Sequence, residues 1–104
     1  MFTFIESSAF NRVRDAYLDD DDYRELQEFL IRDPEAGAVI PGSGGVRKVR
    51  WRRKGSGKRG GVRVVYVLRY RPNEFWLLTI YAKSKQEDVP ADVVRRLKET
   101  FEND

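Results

Sequence analysis

Between Ala36 and Asn73 the chain carries eleven lysines and arginines and no aspartate or glutamate. The remainder holds nine basic residues against all seventeen acidic ones, a net of −8. A surface of one sign draws in a polyanion by long-range attraction and by release of its counterions. Lys48, Arg50 and Arg52 are spaced two apart and so share one face of a strand, with Val49 and Trp51 on the other. In the next apolar run Val62, Val64, Tyr66, Leu68 and Tyr70 alternate with Arg63, Val65, Val67, Arg69 and Arg71. If Trp51 and Tyr66 face a core, then Lys48, Arg50 and Arg63 gather on the opposite face. Several fixed cations around one phosphate stabilise the charge that builds on a transferring phosphoryl group. Basic residues on an exposed sheet also discourage edge pairing, but one or two suffice for that. Eleven without a counter-charge repel one another, and a nucleic-acid backbone offsets the repulsion.

Histidine and cysteine are both absent. Their absence excludes disulfides, thiolate metal sites, cysteine nucleophiles and the usual neutral-pH acid–base group. Proton transfer must then rely on Lys, Arg, Tyr, Ser, Asp or Glu. The stretch Lys54-Gly-Ser-Gly-Lys58-Arg59-Gly-Gly61 resembles a phosphate loop only superficially. It lacks Walker spacing, and a strand follows it instead of a helix. A basic loop overhanging a polyanion fits better, with a plain hairpin loop as the alternative. The run Asp19 to Asp22 lacks calcium-loop spacing, and its side chains diverge around a helix axis. It is read as a helix start, where carboxylates meet free backbone N–H groups. No metal ligand set and no cofactor motif is expected. Trp76 and Tyr81 are aromatics that could stack on bases. Trp76 is better read as core, and Tyr81, at a strand end beside Lys83, is the stronger candidate.

The elements that position these residues follow from periodicity. Phe2 and Phe4 mark a short first strand up to Glu6. Ser7 or Ser8 then caps a helix whose face is Phe10, Val13, Tyr17 and Leu18. A second helix begins at the aspartates, carries Tyr23, Leu26, Phe29 and Leu30, and ends at Asp33-Pro34. After a loop containing Gly37, Pro41, Gly42, Gly44 and Gly45, a meander of three strands is expected over 46–53, 62–71 and 75–82. A last helix starts near Asp88-Val89-Pro90, with the proline in its first turn and Val93, Val94, Leu97 and Phe101 on one face. The order β-α-α-β-β-β-α predicts an α+β fold. Its antiparallel sheet of about four strands would have two N-terminal helices and a C-terminal helix packed on one side. The 104 residues make a single domain. The start Met-Phe-Thr-Phe-Ile-Glu has no signal-peptide pattern, and no apolar run approaches the roughly 20 residues of a membrane span. A cytoplasmic protein is expected.

Nearly the whole chain resembles the RelE/ParE superfamily of toxin–antitoxin toxins, and within it the HigB branch. The resemblance rests on Tyr17-Leu18 before the acidic helix start and on Gly44-Gly-Val-Arg47-Lys48-Val-Arg50. It rests equally on Gly55-Ser-Gly-Lys-Arg-Gly-Gly-Val-Arg63-Val-Val-Tyr66 and on Leu77-Leu-Thr-Ile-Tyr81-Ala-Lys83. It implies a RelE-like fold and a ribosome-dependent endoribonuclease that cuts mRNA. It also implies a cognate antitoxin, expected to be a helix-turn-helix protein from an adjacent gene, with operator DNA contacted only through that antitoxin. Lys48 and Arg50 match the basic pair that contacts RNA, and Arg63 matches the phosphate-stabilising arginine. RelE-type enzymes carry a further arginine after the last strand and a tyrosine in the following segment. This chain reads Lys83-Ser84-Lys85 there.

Cleavage of RNA by its own 2′-OH needs that hydroxyl deprotonated, the phosphorane stabilised and the leaving 5′ oxygen protonated. A lone lysine titrates at about 10.4, too high for a base at neutral pH, but neighbouring cations lower that value. The base is therefore expected among Lys48, Lys83 and Tyr81, with no metal required. Arg50 and Arg63 would stabilise the phosphorane. Arg47, Arg52, Lys54, Lys58 and Arg59 would position mRNA or rRNA. Two rivals remain: a ParE-like gyrase inhibitor, and an RNA-binding module without catalysis.

Overall fold

Ser7 joins the first strand to the first helix with a single hydroxyl. In the computed structural model, which describes residues 1–52, 61–82 and 88–103, Ser7 Oγ accepts from the Phe10 amide at 3.0 Å as helix N-cap. The same oxygen donates to the Leu78 carbonyl at 2.7 Å. Strand β1 (Thr3–Glu6) thus leads directly into α1 (Ser8–Tyr17). Asp19 caps α2 (Asp20–Arg32), accepting from the Asp22 amide at 2.7 Å, and Asp20, Asp21 and Asp22 fill its first turn. The aspartate run is a helix start, as its charge against the dipole requires. Asp33 before Pro34 ends the helix.

Four more strands follow: β2 (Ala38–Val39), β3 (Arg47–Trp51), β4 (Val62–Arg69) and β5 (Glu74–Ala82). Helix α3 (Ala91–Glu102) ends the chain's regular structure. The strand order is β1-β5-β4-β3-β2. The meander β3-β4-β5 is antiparallel, as its alternation predicts. The sheet differs from the expected four-stranded antiparallel one in two respects. β1 lies parallel to β5 along one edge, and the two-residue β2 pairs with β3 along the other, making a mixed sheet of five.

The helices do not all lie on one side. Phe10, Leu18, Leu26 and Leu30 from the N-terminal helical pair pack with Val49, Val62, Val64, Tyr66, Phe75 and Leu77. Val94 of α3, flanked by Leu97 and Phe101, packs with Val46, Val65, Val67, Leu78 and Tyr81 on the opposite face. The cause is visible in β4, where both alternating sets of side chains are apolar from Val64 to Val67. A strand buried on both faces needs cover on both. Each fully buried leucine or valine contributes about 1.5–3 kcal/mol. A bulge sharpens the division. Val65 pairs with Thr79 but Tyr66 with Leu77, so Leu78 is the extra residue in β5. Leu77 and Leu78 consequently serve different cores.

Two contacts tie the connections to this frame. The fully buried Tyr66 hydroxyl donates to the Pro34 carbonyl and accepts from the Gly37 amide, each at 2.9 Å. Gly37 passes so close that a Cβ there would lie 2.8 Å from the Tyr66 ring. Across the molecule, Arg95 and Lys98 of α3 donate to the carbonyls of Gly42 and Gly44 at 3.2 and 2.9 Å. Gly42, Gly44 and Gly45 all take positive φ, the conformation that lets this loop turn beneath the helix.

Candidate nucleic-acid interface

The register of three strands sets one row of side chains. Arg50 of β3 stands opposite Arg63 of β4, and Arg63 stands opposite Tyr81 of β5. Lys48, two residues from Arg50, shares that face and pairs with Val65. Because Val49, Trp51, Val64 and Tyr66 turn toward α1 and α2, the row lies on the α3 side, near that helix's N-terminal end. The alternation of the sequence thus places Lys48, Arg50 and Arg63 together.

Arg50 is exposed and Arg63 half-buried. Like charges directly opposite on neighbouring strands destabilise a sheet by up to about 1 kcal/mol. Among the described residues neither guanidinium has a carboxylate partner, whereas Arg14, Arg24, Arg47, Lys48, Arg69 and Arg96 all do. Two fixed forks of donors remain open to a bidentate anion such as a phosphate.

Beside them the site contains a carboxylate that the pattern of the sequence did not assign to it. Asp88 Oδ1 lies 3.2 Å from Lys48 Nζ and accepts from the Tyr81 hydroxyl at 3.0 Å. The last helix was expected to start near Asp88-Val89-Pro90 with the proline in its first turn, but α3 begins at Ala91, with Pro90 at the cap position and no side chain capping it. With Pro90 supplying the stop at the helix entrance, Asp88 turns instead to the sheet. Val89 packs into the α3-side core and holds the segment down. The signal in the sequence was an acidic residue two positions before that proline, close after the strand that ends in the basic row.

Tyr81 is only 3% exposed, so it is not placed to stack on a base. Burial first, then the hydrogen bond to Asp88, pushes its hydroxyl pKa up to about 12, with the Arg63 charge opposing. At neutral pH it holds its proton and is poorly suited to act as a base. Trp76 lies at the other end of the sheet against Phe101, ring centroids 4.9 Å apart, under the Arg69 guanidinium. It belongs to the core, as expected. Arg69 is engaged there with Glu102 at 3.5 Å.

Arg47 is not brought to the row. It lies on the other face, donating to the Gly37 and Glu35 carbonyls at 2.7 and 3.2 Å with the Glu35 carboxylate nearby. Its guanidinium fastens the segment after α2 instead of meeting solvent. Arg52 is exposed one residue beyond β3, on the side of Lys48 and Arg50 by alternation. Lys54, Lys58, Arg59 and Lys83 lie outside the described residues. Among the described residues no group of three carboxylates converges as metal ligands, and no helix is long and apolar enough to cross a membrane. No protein-family model matches the chain.

Proposed function

We propose that this chain is the toxin of a type II toxin–antitoxin pair, a RelE-like and specifically HigB-like endoribonuclease that cuts mRNA on the ribosome and so inhibits translation. The observation that carries the proposal is the opposed Arg50–Arg63 pair, two cations without carboxylate partners among the described residues, on a face they share with Lys48. Such a pair is costly without a polyanion and useful with one. In this reading the 2′-OH of the message attacks the adjacent phosphate. Arg50 and Arg63 stabilise the phosphorane, and Lys48 adds charge beside them. Weak intrinsic acid–base groups suit an enzyme whose substrate is distorted by the ribosome. The chemical step itself is proposed to need no metal ion. Arg52, Lys54, Lys58 and Arg59 would position RNA, and Lys83 would take part in catalysis. The toxin would act in the cytoplasm, with a neighbouring helix-turn-helix antitoxin binding it, blocking it and carrying it to operator DNA.

The test is inducible expression with transcriptome-wide mapping of RNA 5′ ends. Growth arrest with new ends inside translated messages is expected, and Arg63→Ala and Lys48→Ala should abolish both. Arrest with DNA damage and intact messages would replace this reading with gyrase inhibition. RNA binding without arrest would reduce it to a binding module. Full toxicity of both variants would overturn the assignment of the site.

A further inference from the structure

Apart from Asp88, the described residues of the site supply abundant positive charge but no group ready to accept a proton. The guanidinium groups of Arg50 and Arg63 carry donors only and remain charged. Lys48 Nζ is engaged in an ion pair with Asp88 at 3.2 Å. Tyr81 is buried, and its hydroxyl gives its hydrogen to Asp88. An ionised carboxylate, by contrast, only accepts, and the Asp88 side chain is 42% exposed, within reach of a bound strand. Other carboxylates among the described residues serve elsewhere: Glu6 meets Tyr23, Glu35 meets Arg47, Asp20 meets Arg14, Glu74 meets Trp76 and Glu102 meets Arg69.

We propose that Asp88 is a catalytic residue, the base that takes the 2′-hydroxyl proton, with Lys48 and Tyr81 holding its carboxylate beside Arg50 and Arg63. The inference rests on the endoribonuclease reading and adds the proton acceptor it lacks. The 2′-hydroxyl proton passes to the Asp88 carboxylate as the 2′ oxygen bonds to phosphorus. The bond from phosphorus to the 5′ oxygen then breaks, and that oxygen is protonated by water. The products are a 2′,3′-cyclic phosphate and a 5′-hydroxyl end. Asp88 returns its proton to solvent. Tyr81 is a positioning residue here: its buried phenol keeps its own proton and fixes one carboxylate oxygen.

Asp88→Asn isolates the base, because the carboxamide oxygen still accepts from Lys48 and Tyr81. In single-turnover cleavage of mRNA on purified ribosomes, the expected loss is about 100-fold or more, the range for a removed general base. The residual rate should become proportional to hydroxide concentration, rising about tenfold per pH unit across the neutral range. Asp88→Glu, which keeps a carboxylate, should recover at least part of the rate. Tyr81→Phe should cost less than Asp88→Asn and leave the shape of the pH profile unchanged. Asp88→Asn that cleaves within threefold of wild type overturns the proposal, as does faster cleavage, which would make Asp88 an internal competitor of the phosphate. If the Asn variant is unstable, the Glu variant decides: a wild-type fold with Asn-like loss of rate also overturns it. A wild-type chain that leaves ribosome-bound mRNA intact removes the endoribonuclease reading itself, and this inference with it.

Discussion

Tyr66 and Tyr81 are both buried, on adjacent strands of one sheet, yet they have opposite surroundings. Tyr66 faces α1 and α2, and its hydroxyl joins two neutral backbone groups, the Pro34 carbonyl and the Gly37 amide. Tyr81 faces α3, and its hydroxyl meets a carboxylate that is itself paired with a lysine, in a row with Arg63 and Arg50. The arginines divide the same way. Arg47 spends its donors on two carbonyls and Glu35, while Arg50, three residues on, has no carboxylate partner among the described residues. Around Tyr66 the polar groups close the fold. Around Tyr81 the row of Arg63 and Arg50 keeps charge available for something outside it. A polar group with all its partners inside the chain contributes to stability, whereas like charges held opposite one another, as Arg50 and Arg63 are, cost stability that a polyanion would offset.

This division predicts that substitutions on the two faces separate function from stability. The largest effect is expected for Arg63→Ala: a loss of about 100- to 1000-fold in mRNA cleavage, the range for removing one preorganised donor from a developing oxyanion. Its unfolding free energy should stay within about 0.5 kcal/mol of wild type. Comparable losses in both quantities would erase the distinction. Tyr66→Phe should do the converse. Denaturant titration should show a loss of about 1–3 kcal/mol from the unsatisfied Gly37 amide and Pro34 carbonyl, with the cleavage rate of the folded fraction unchanged. Arg50→Ala should weaken RNA binding and reduce the slope of log affinity against log salt by about 1, one phosphate contact fewer. Removing its repulsion with Arg63 should also leave the protein slightly more stable.

The smallest effect concerns pH. The Tyr81 pKa is raised to about 12, so the folded state holds this proton more firmly than the unfolded chain does. Its contribution is complete below about pH 10, the unfolded value, and is lost as pH rises from there toward 12. Tyr81→Phe should therefore flatten the fall in stability over that window. An unchanged alkaline profile would show that in solution the hydroxyl is neither buried nor held by Asp88.

Much of this contrast was legible from alternation alone. Val49, Trp51 and Tyr66 on one side with Lys48, Arg50 and Arg63 on the other follow from a period of two, and the structure keeps that register. The caps at Ser7 and Asp19 were equally local, since a cap needs only its own helix turn. What escaped was non-local. The parallel pairing of β1 with β5 joins residues about seventy positions apart, and nothing within Thr3–Glu6 names its partner. β2 is two residues long, too short to show a period. The second helical face was written in Val65 and Val67, but a strand apolar on both sides reads first as a strong strand and only then as a sheet covered twice. Tyr81 could be placed on the basic face, yet its burial depends on the segment that follows β5. Asp88 escaped because it stands beside a helix start in the sequence, and only the packing of the segment before α3 turns it to the sheet.

The central claim is that the α3-side face is the one that acts on RNA, and it is tested most directly by comparing Arg47→Ala with Arg63→Ala on purified, mRNA-programmed ribosomes. The account predicts that Arg47→Ala still cleaves at a rate close to wild type, at any temperature where it is folded, while Arg63→Ala leaves the message intact over the same time course. Equal activity of the two variants, or a loss confined to Arg47→Ala, would contradict it.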